Sequence, residues 1–187
     1  MKWLIASDIH GSAVCCEKLL KRFEEEKADR LLLLGDLLYH GPRNALPEGY
    51  ETMTVSGLLN AYKEKIICVR GNCDAEVDQA VLDFPITDDS TVLVSGGCLI
   101  CATHGHIYDE HRRPPLRDLD VLLTGHTHVP ALHDYGNFVY INPGSVSIPK
   151  GGSACSYMTL ENGCFVWKTL DGTEYRRFQM TPRHGEG

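Results

Sequence analysis

Seven side chains able to ligate a divalent metal each stand just past a short apolar run. Asp8 and His10 follow Trp3–Ser7, Asp36 follows Leu31–Leu34, and Asn72 follows Ile66–Val69. His104 follows Leu99–Thr103, and His126 with His128 follows Val121–Thr124. Short apolar runs bounded by turn residues read as buried strands, and strand C-termini in an open α/β sheet form the edge where ligands bind. Taken singly, each group has an ordinary explanation. Asp8-Ile9-His10 is a loop pair, Gly35-Asp36 a turn, Asn72 an Asx-turn residue, and a lone histidine a hydrogen-bonded structural group. Those explanations do not account for the delivery of all seven to one edge. Carboxylate, imidazole and amide donors without thiolate suit Mn²⁺, Fe or Zn²⁺ in an oxygen/nitrogen site better than a structural zinc–thiolate site. With two divalent ions and a bridging hydroxide, Asp8 and Asp36 leave the inner site at about +1. That charge matches a phosphodiester monoanion and the charge its transition state develops, without excluding phosphomonoesters.

The elements that must position these donors alternate strand and helix in the first half. Cys16, Leu19, Leu20 and Phe23 fall at i, i+3, i+4 and i+7, one face of a helix. Residues 40–51, rich in Gly, Pro and polar groups, read as a loop, and a second helix is predicted from about Thr54 to Lys63. The second half reads as strands at Thr91–Val94, Leu99–Thr103, Val121–Thr124, Phe138–Ile141, Ser156–Leu160 and Phe165–Leu170. Turn signals such as Ser95-Gly96-Gly97 and Asn142-Pro143-Gly144 separate them. A βαβ half feeding a β-rich half predicts two sheets packed face to face with helices outside. One domain is expected over residues 1–180, followed by a polar tail, residues 181–187, that frays.

The bulk properties narrow the partners. A chain of 187 residues with 43% hydrophobic and 23% charged residues fits one folded domain with a sizeable core. The formal net charge of −7 argues against long nucleic acids as partners. No apolar stretch is long enough for a signal peptide or a bilayer span, so a cytoplasmic location and no membrane partner are expected. The eight cysteines are then read mostly as small buried hydrophobes. Cys98 and Cys101 have metal-type spacing, but residues three apart on a strand face opposite sides and cannot share an ion.

Asp8-Ile9-His10, Gly35-Asp36, Gly71-Asn72-Cys73-Asp74, His104-Gly105-His106 and Gly125-His126-Thr127-His128 together resemble the five motifs of the calcineurin-like metallophosphoesterases. Within that superfamily, His40–Pro47 and Asn142–Lys150 resemble the small bacterial phosphodiesterases of the YfcE type. The resemblance implies an α/β fold, a four-layer αββα sandwich of two packed mixed sheets flanked by helices. It implies two divalent metal ions per subunit, Mn²⁺ in first place with Fe, Zn, Ni and Mg as alternatives. Asp8, His10 and His128 would hold one ion, Asn72, His104 and His126 the other, and Asp36 would bridge them. A hydroxide bridging the metals would attack a small phosphodiester substrate.

By the same resemblance Asp36, Asn72 and His104 are catalytic, with His106 and Cys73 as further candidates. Asn72, His106, Arg43 and His40 are candidates for substrate contact. One departure stands out. Many members carry a histidine after the motif asparagine, where it can protonate the leaving group, and here that position is Cys73. A thiol of unperturbed pKa about 8.5 is a poor general acid. Asp74 then lacks the imidazole it commonly orients, so a metal-bound water or His106 must cover the loss, and diesters with acidic leaving groups should turn over best. The other reading of Cys73 is a small residue leaving room for substrate. Two alternatives stand beside the phosphodiesterase: a phosphomonoesterase or nucleotide hydrolase on the same core, and a catalytically silent scaffold resembling a retromer subunit. Self-association into a dimer or tetramer is left open.

Overall fold

The computed structural model describes residues 1–183. The apolar runs β1 (Lys2–Ala6), β2 (Arg30–Leu33) and β3 (Ile66–Cys68) lie parallel, with Leu4 opposite Leu31 and Leu31 opposite Ile66. On the other side of β1, the antiparallel strands β9 (Ser156–Glu161), β10 (Cys164–Thr169) and β11 (Glu174–Gln179) complete a six-stranded mixed sheet in the order β11-β10-β9-β1-β2-β3. The second sheet holds β4 (Ser90–Ser95), β5 (Cys98–Thr103), β6 (Val121–Leu123), β7 (Ala131–Asp134) and β8 (Val139–Asn142), ordered β4-β5-β6-β8-β7. Its three central strands are parallel and its edges antiparallel.

The two-residue period of the strands sorts the core into layers. Leu4, Ala6, Leu31 and Leu33 face helices α1 (Ala13–Glu25) and α2 (Thr52–Asn60). Trp3, Ile5, Leu32 and Leu34 face the other way, onto Ile100, Ala102, Leu123 and Ile141 of the second sheet. Trp167 on β10 donates its indole N–H to the Asn142 carbonyl on β8 at 2.8 Å, so this sheet contact also satisfies a buried polar group. In α1 the expected face of Cys16, Leu19, Leu20 and Phe23 is buried, and the Ser12 hydroxyl caps the helix by accepting from Cys15 N at 3.3 Å.

The outer face of the second sheet is covered differently. Among the described residues no helix lies there. Cys101, Leu122 and Tyr140 are covered by Leu119, while Arg113 stacks over Phe138 at 5.0 Å. That segment carries Pro114-Pro115 and a run of charges, which do not support a helical stripe. The fourth layer expected as helix is therefore irregular chain. Cys98 belongs to the inter-sheet core and Cys101 to this outer cluster, on opposite faces as the strand period requires. All eight cysteines are free.

Other differences fall at element ends and edges. The second helix starts at Thr52 and stops at Asn60, and the lysine-rich stretch Lys63–Lys65 makes a separate 3₁₀ turn. A further 3₁₀ turn spans Glu76–Ala80. Strands β7 and β11 were not expected, because β11 is mostly polar, β7 has only Ala131 and Leu132 as apolar residues, and neither sheet edge carries the apolar run that marks a central strand. Of the tail expected to fray, residues 184–187 lie outside the described residues. Arg183 is anchored, with its backbone N–H donating to Asp120 at 2.6 Å and its guanidinium pairing with Asp134 at 2.7 Å. Among the described residues no helix is long and apolar enough to cross a membrane.

Candidate metal centre

The chain leaves β1, β2, β3, β5 and β6 at one edge of the stacked sheets, and all seven expected donors stand there. Five of them adopt left-handed backbone: Asp8 at φ 60°, His10 at 50°, Asp36 at 55°, His126 at 67° and His128 at 61°. Asp and His tolerate this region better than most residues, and strain of this kind is held where the surrounding structure fixes it. Here the loops bond to one another: His10 N donates to Asp36 O at 2.9 Å and Gly125 N to His104 O at 2.8 Å. Glycine is required where they touch. A Cβ on Gly71 would collide with the Asp36 carboxylate and backbone, and one on Gly125 with the Ser7 hydroxyl.

The histidines are oriented from behind. His10, His104 and His128 each place Nδ1 against a backbone carbonyl, of Tyr39 at 2.7 Å, Leu34 at 2.6 Å and Ile148 at 2.6 Å. A carbonyl only accepts, so Nδ1 carries the proton and a neutral ring turns its Nε2 lone pair into the site. There Nε2 of His10 and His128 lie 3.2 Å apart, and Asp8 Oδ1 sits 3.5 and 3.3 Å from them. Asp8 Oδ1 is fully buried and has no hydrogen-bond partner. Converging lone pairs around an orphaned carboxylate oxygen are what a bound cation would relieve. The ligand atoms of Asp8, His10 and His128 lie within 4.8 Å of one another, as do those of Asp8, Asp36 and His104. Asn72 Oδ1 is 3.1 Å from His104 Nε2, and the His126 ring lies 5.0 Å from the His104 ring.

Protons and metal compete for this cluster. Burial alone would raise the Asp8 carboxyl, but the imidazoles of His10, His128 and His104 gathered around it outweigh burial and hold it well below the usual range. Burial would lower His104, yet the Asp36 and Asp8 carboxylates push it up to about 9. Without metal, His104 therefore holds a proton at neutral pH, and a cation bound through that ring would have to displace it. The affinity for a divalent ion held by His104 is expected to rise about tenfold per pH unit toward that pKa. Calorimetry in buffers of different ionisation enthalpy should register the proton; uptake of metal with no proton release would contradict the assignment. The sign for the metal-free protein is opposite. A histidine raised from 6.5 to about 9 adds stability that is complete below pH 6.5 and lost as pH climbs through 9.

The other expected residues are placed around this centre. A cleft of about 360 Å³ opens on it, lined by Asp36, Asn72, His126 and His128 and rimmed by Arg43 and Lys150. Cys73 lines the cleft too, its backbone N–H donating to Asp36 Oδ1 at 2.8 Å. Burial and the neighbouring Asp36 push its thiol up to about 12, so it stays protonated. His106 is exposed, its ring 5.3 Å from that of His104. Burial and the charge on His104 lower its pKa. His40 is held between the rings of Tyr39 and Tyr50, at 4.7 and 5.3 Å, rather than lining the cleft.

Several supporting residues were not legible beforehand. Asp74 orients no imidazole. Its buried carboxylate accepts from the backbone N–H of Asp36 and Leu37, both at 2.8 Å, and of Gly71 at 2.7 Å. Ser145 and Ser147 donate to the Asp8 carbonyl at 2.9 and 3.1 Å, and Asn142 Nδ2 to the Gly125 carbonyl at 2.6 Å. Lys150 at the cleft rim was likewise unassigned. The Asn142-Pro143-Gly144 turn and the hydroxyls after it were the available signal, since polar groups crowded beside a ligand edge commonly hold the ligands in place.

Two stacked mixed sheets whose strand ends gather carboxylates, imidazoles and an amide around a small polar cleft define a metallohydrolase architecture. Residues 1–163 match the family model of the calcineurin-like phosphoesterase superfamily domain, and the chain belongs to that superfamily. It is similar to the phosphodiesterase YfcE of Escherichia coli strain K12, at 49% identity over 162 residues covering 87% of this chain and 88% of the relative. It is also similar to the probable metallophosphoesterase YsnB of Bacillus subtilis strain 168, at 28% identity over 180 residues covering 91% of each. A solved structure of YfcE from E. coli, described as a phosphoesterase, superposes with a TM-score of 0.92 and 44% identity, covering 97% of this chain and 100% of that one. A Vps29 from Entamoeba histolytica shares the fold at a TM-score of 0.63 and 22% identity, covering 97% of this chain and 100% of that one.

Proposed function

We propose that the chain is a dinuclear metal-dependent phosphodiesterase. Asp8, His10 and His128 hold one ion, Asn72, His104 and His126 the other, and Asp36 lies between them. The observation that carries this reading is the orphaned Asp8 Oδ1, enclosed by imidazoles whose far nitrogens are tied to backbone carbonyls. When bound, two divalent ions, Mn²⁺ in first place, would supply Lewis acidity at the phosphoryl oxygens and activate water as the nucleophile. The chain's own residues bind and orient. Arg43 and Lys150 place positive charge at the mouth of the cleft in a molecule of net charge −7, which draws in and aligns a phosphodiester anion. The Asn72 amide, exposed in the cleft, is placed to reach a phosphoryl oxygen.

Neither nearby proton carrier is suited to a poor leaving group. The Cys73 thiol is pushed up to about 12, and His106 is shifted down, toward the neutral imidazole. Diesters whose leaving group departs as a stable anion are favoured accordingly. The test is hydrolysis of bis-p-nitrophenyl phosphate and p-nitrophenyl phosphate by metal-stripped protein, with and without Mn²⁺. Mn²⁺-dependent cleavage is expected, with the diester ahead by at least about tenfold. Faster monoester cleavage would favour the phosphomonoesterase or nucleotide hydrolase, and no turnover with any divalent metal in a folded protein would favour the scaffold.

A further inference from the structure

A second cavity, about 450 Å³, shares a wall with the metal cleft. Its lining includes Leu38, Tyr39, Tyr50, Met53 and Val77, and the shared residue is Cys73. The Cys73 sulfur lies within 4.8 Å of the ligand atoms of His10 and Asp36, so the groove begins one side chain away from the metal centre. On the cleft side Gly41 packs close to that sulfur, where a Cβ would come within 3.2 Å of it.

The chemistry of the two cavities differs. The cleft is rimmed by Arg43, Asn44 and Lys150. The groove has one charged side chain, Asp78, and its carboxylate is engaged in accepting from Ala75 N at 2.8 Å. Tyr39, Met53 and Val77 are 42%, 67% and 74% exposed, so they contribute little to the core. They come from three separate segments: the loop after β2, the first turn of α2, and the 3₁₀ turn that follows Asn72-Cys73-Asp74. Large apolar side chains that converge in the open, beside a charged site, mark a place where a ligand is covered.

We propose that this groove is the subsite for one ester arm of the substrate, and that the arm is apolar or aromatic and enters past the Cys73 thiol. The inference rests on the phosphodiesterase reading and names its substrate class: a diester with an anionic phosphoryl group at the metal centre and a hydrocarbon or aryl substituent along Tyr39, Met53 and Val77. The small size of Cys73 is then functional, because a larger side chain at the junction would close the passage between the two cavities.

Unreactive n-alkylphosphonates from methyl to hexyl test the groove apart from the chemistry, as competitive inhibitors of bis-p-nitrophenyl phosphate hydrolysis by the Mn²⁺-loaded full chain. The inhibition constant of the wild type is expected to fall by roughly two- to fourfold for each added methylene that reaches the groove. In Met53→Glu/Val77→Asp, and in Val77→Asp alone, that dependence on chain length should flatten. Inhibition that ignores chain length in the wild type, or a dependence that survives in both variants, would overturn the subsite. A chain-length-independent wild type whose sedimentation coefficient drops in the variants would assign the groove to contact with a second copy instead, and equally overturn it. Failure of the underlying reading shows separately, as absence of bis-p-nitrophenyl phosphate hydrolysis before any inhibitor is added.

Discussion

Asp36→Asn is expected to lower Mn²⁺-dependent hydrolysis of bis-p-nitrophenyl phosphate by about a thousandfold or more. One carboxylate oxygen, Oδ1, accepts from Cys73 N at 2.8 Å, and the other, Oδ2, faces His104 Nε2 at 3.4 Å and His10 Nε2 at 3.7 Å. An asparagine cannot serve both sides. With its oxygen kept on the Cys73 N–H, the amide NH₂ points into the cluster, where it cannot ligate. Turned around, it sets two donors against each other at Cys73. Either way the site loses a negative charge between two groups of imidazoles, and with it the means of holding two cations close together. Metal content measured by inductively coupled plasma spectrometry separates the outcomes. Less than two equivalents bound, with circular dichroism unchanged, is the expected pattern. Turnover within about tenfold of wild type at two equivalents of metal would mean that Asp36 does not bridge.

The gathering of these side chains at one edge was legible because residue type at strand ends carries it. Asp8, Asp36 and His126 each follow an apolar run, and the left-handed backbone there suits Asp and His better than bulky apolar residues. The inner strands were legible for the same reason: Leu31 to Leu34 is buried on both faces and is therefore apolar throughout. What the pattern could not reveal is carried by polar residues acting at a distance. Strands β7 and β11 are sheet edges whose exposed residues carry no alternation strong enough to mark them. The cover over Leu122 and Tyr140 is irregular chain, and nothing in the order of its residues says which sheet face it will cross. His40 looked like a substrate contact from its loop, but its ring packs between two tyrosines that only the fold brings to it. Asp74 is the sharpest case. It follows two cleft residues, Asn72 and Cys73, in the chain, while two of its three bonding partners lie at Asp36 and Leu37.

That placement makes Asp74→Asn the variant with the largest expected effect on stability. The Asp74 carboxylate, 4% exposed, fastens the loop after β3 to the loop after β2 through the Asp36 and Leu37 N–H groups, and holds Gly71 N of its own loop as well. Burial pushes its pKa up, while the N–H groups from Leu37, Gly71 and Asp36 pull it down. Replacing one oxygen by NH₂ leaves at least one buried N–H facing another donor. Such a change costs about 3 kcal/mol, from the lost charge-assisted bond and the unsatisfied donor together. Urea unfolding of the metal-free proteins reads this directly, as a lower midpoint at unchanged m-value. The effect should also reach the chemistry. Asp36 N is one of the three groups that the carboxylate holds, and Gly71 packs directly against the Asp36 side chain, so the Asp36 carboxylate loses support from behind. Metal affinity is expected to fall by about tenfold or more, as for other residues that hold a ligand in place. Asp74→Ala, which leaves all three N–H groups without a partner, should be worse on both measures. An Asp74→Asn protein with wild-type stability would mean that water or a shifted backbone satisfies those groups, and that the left-handed turn at Asp36 is held by the glycine contacts alone.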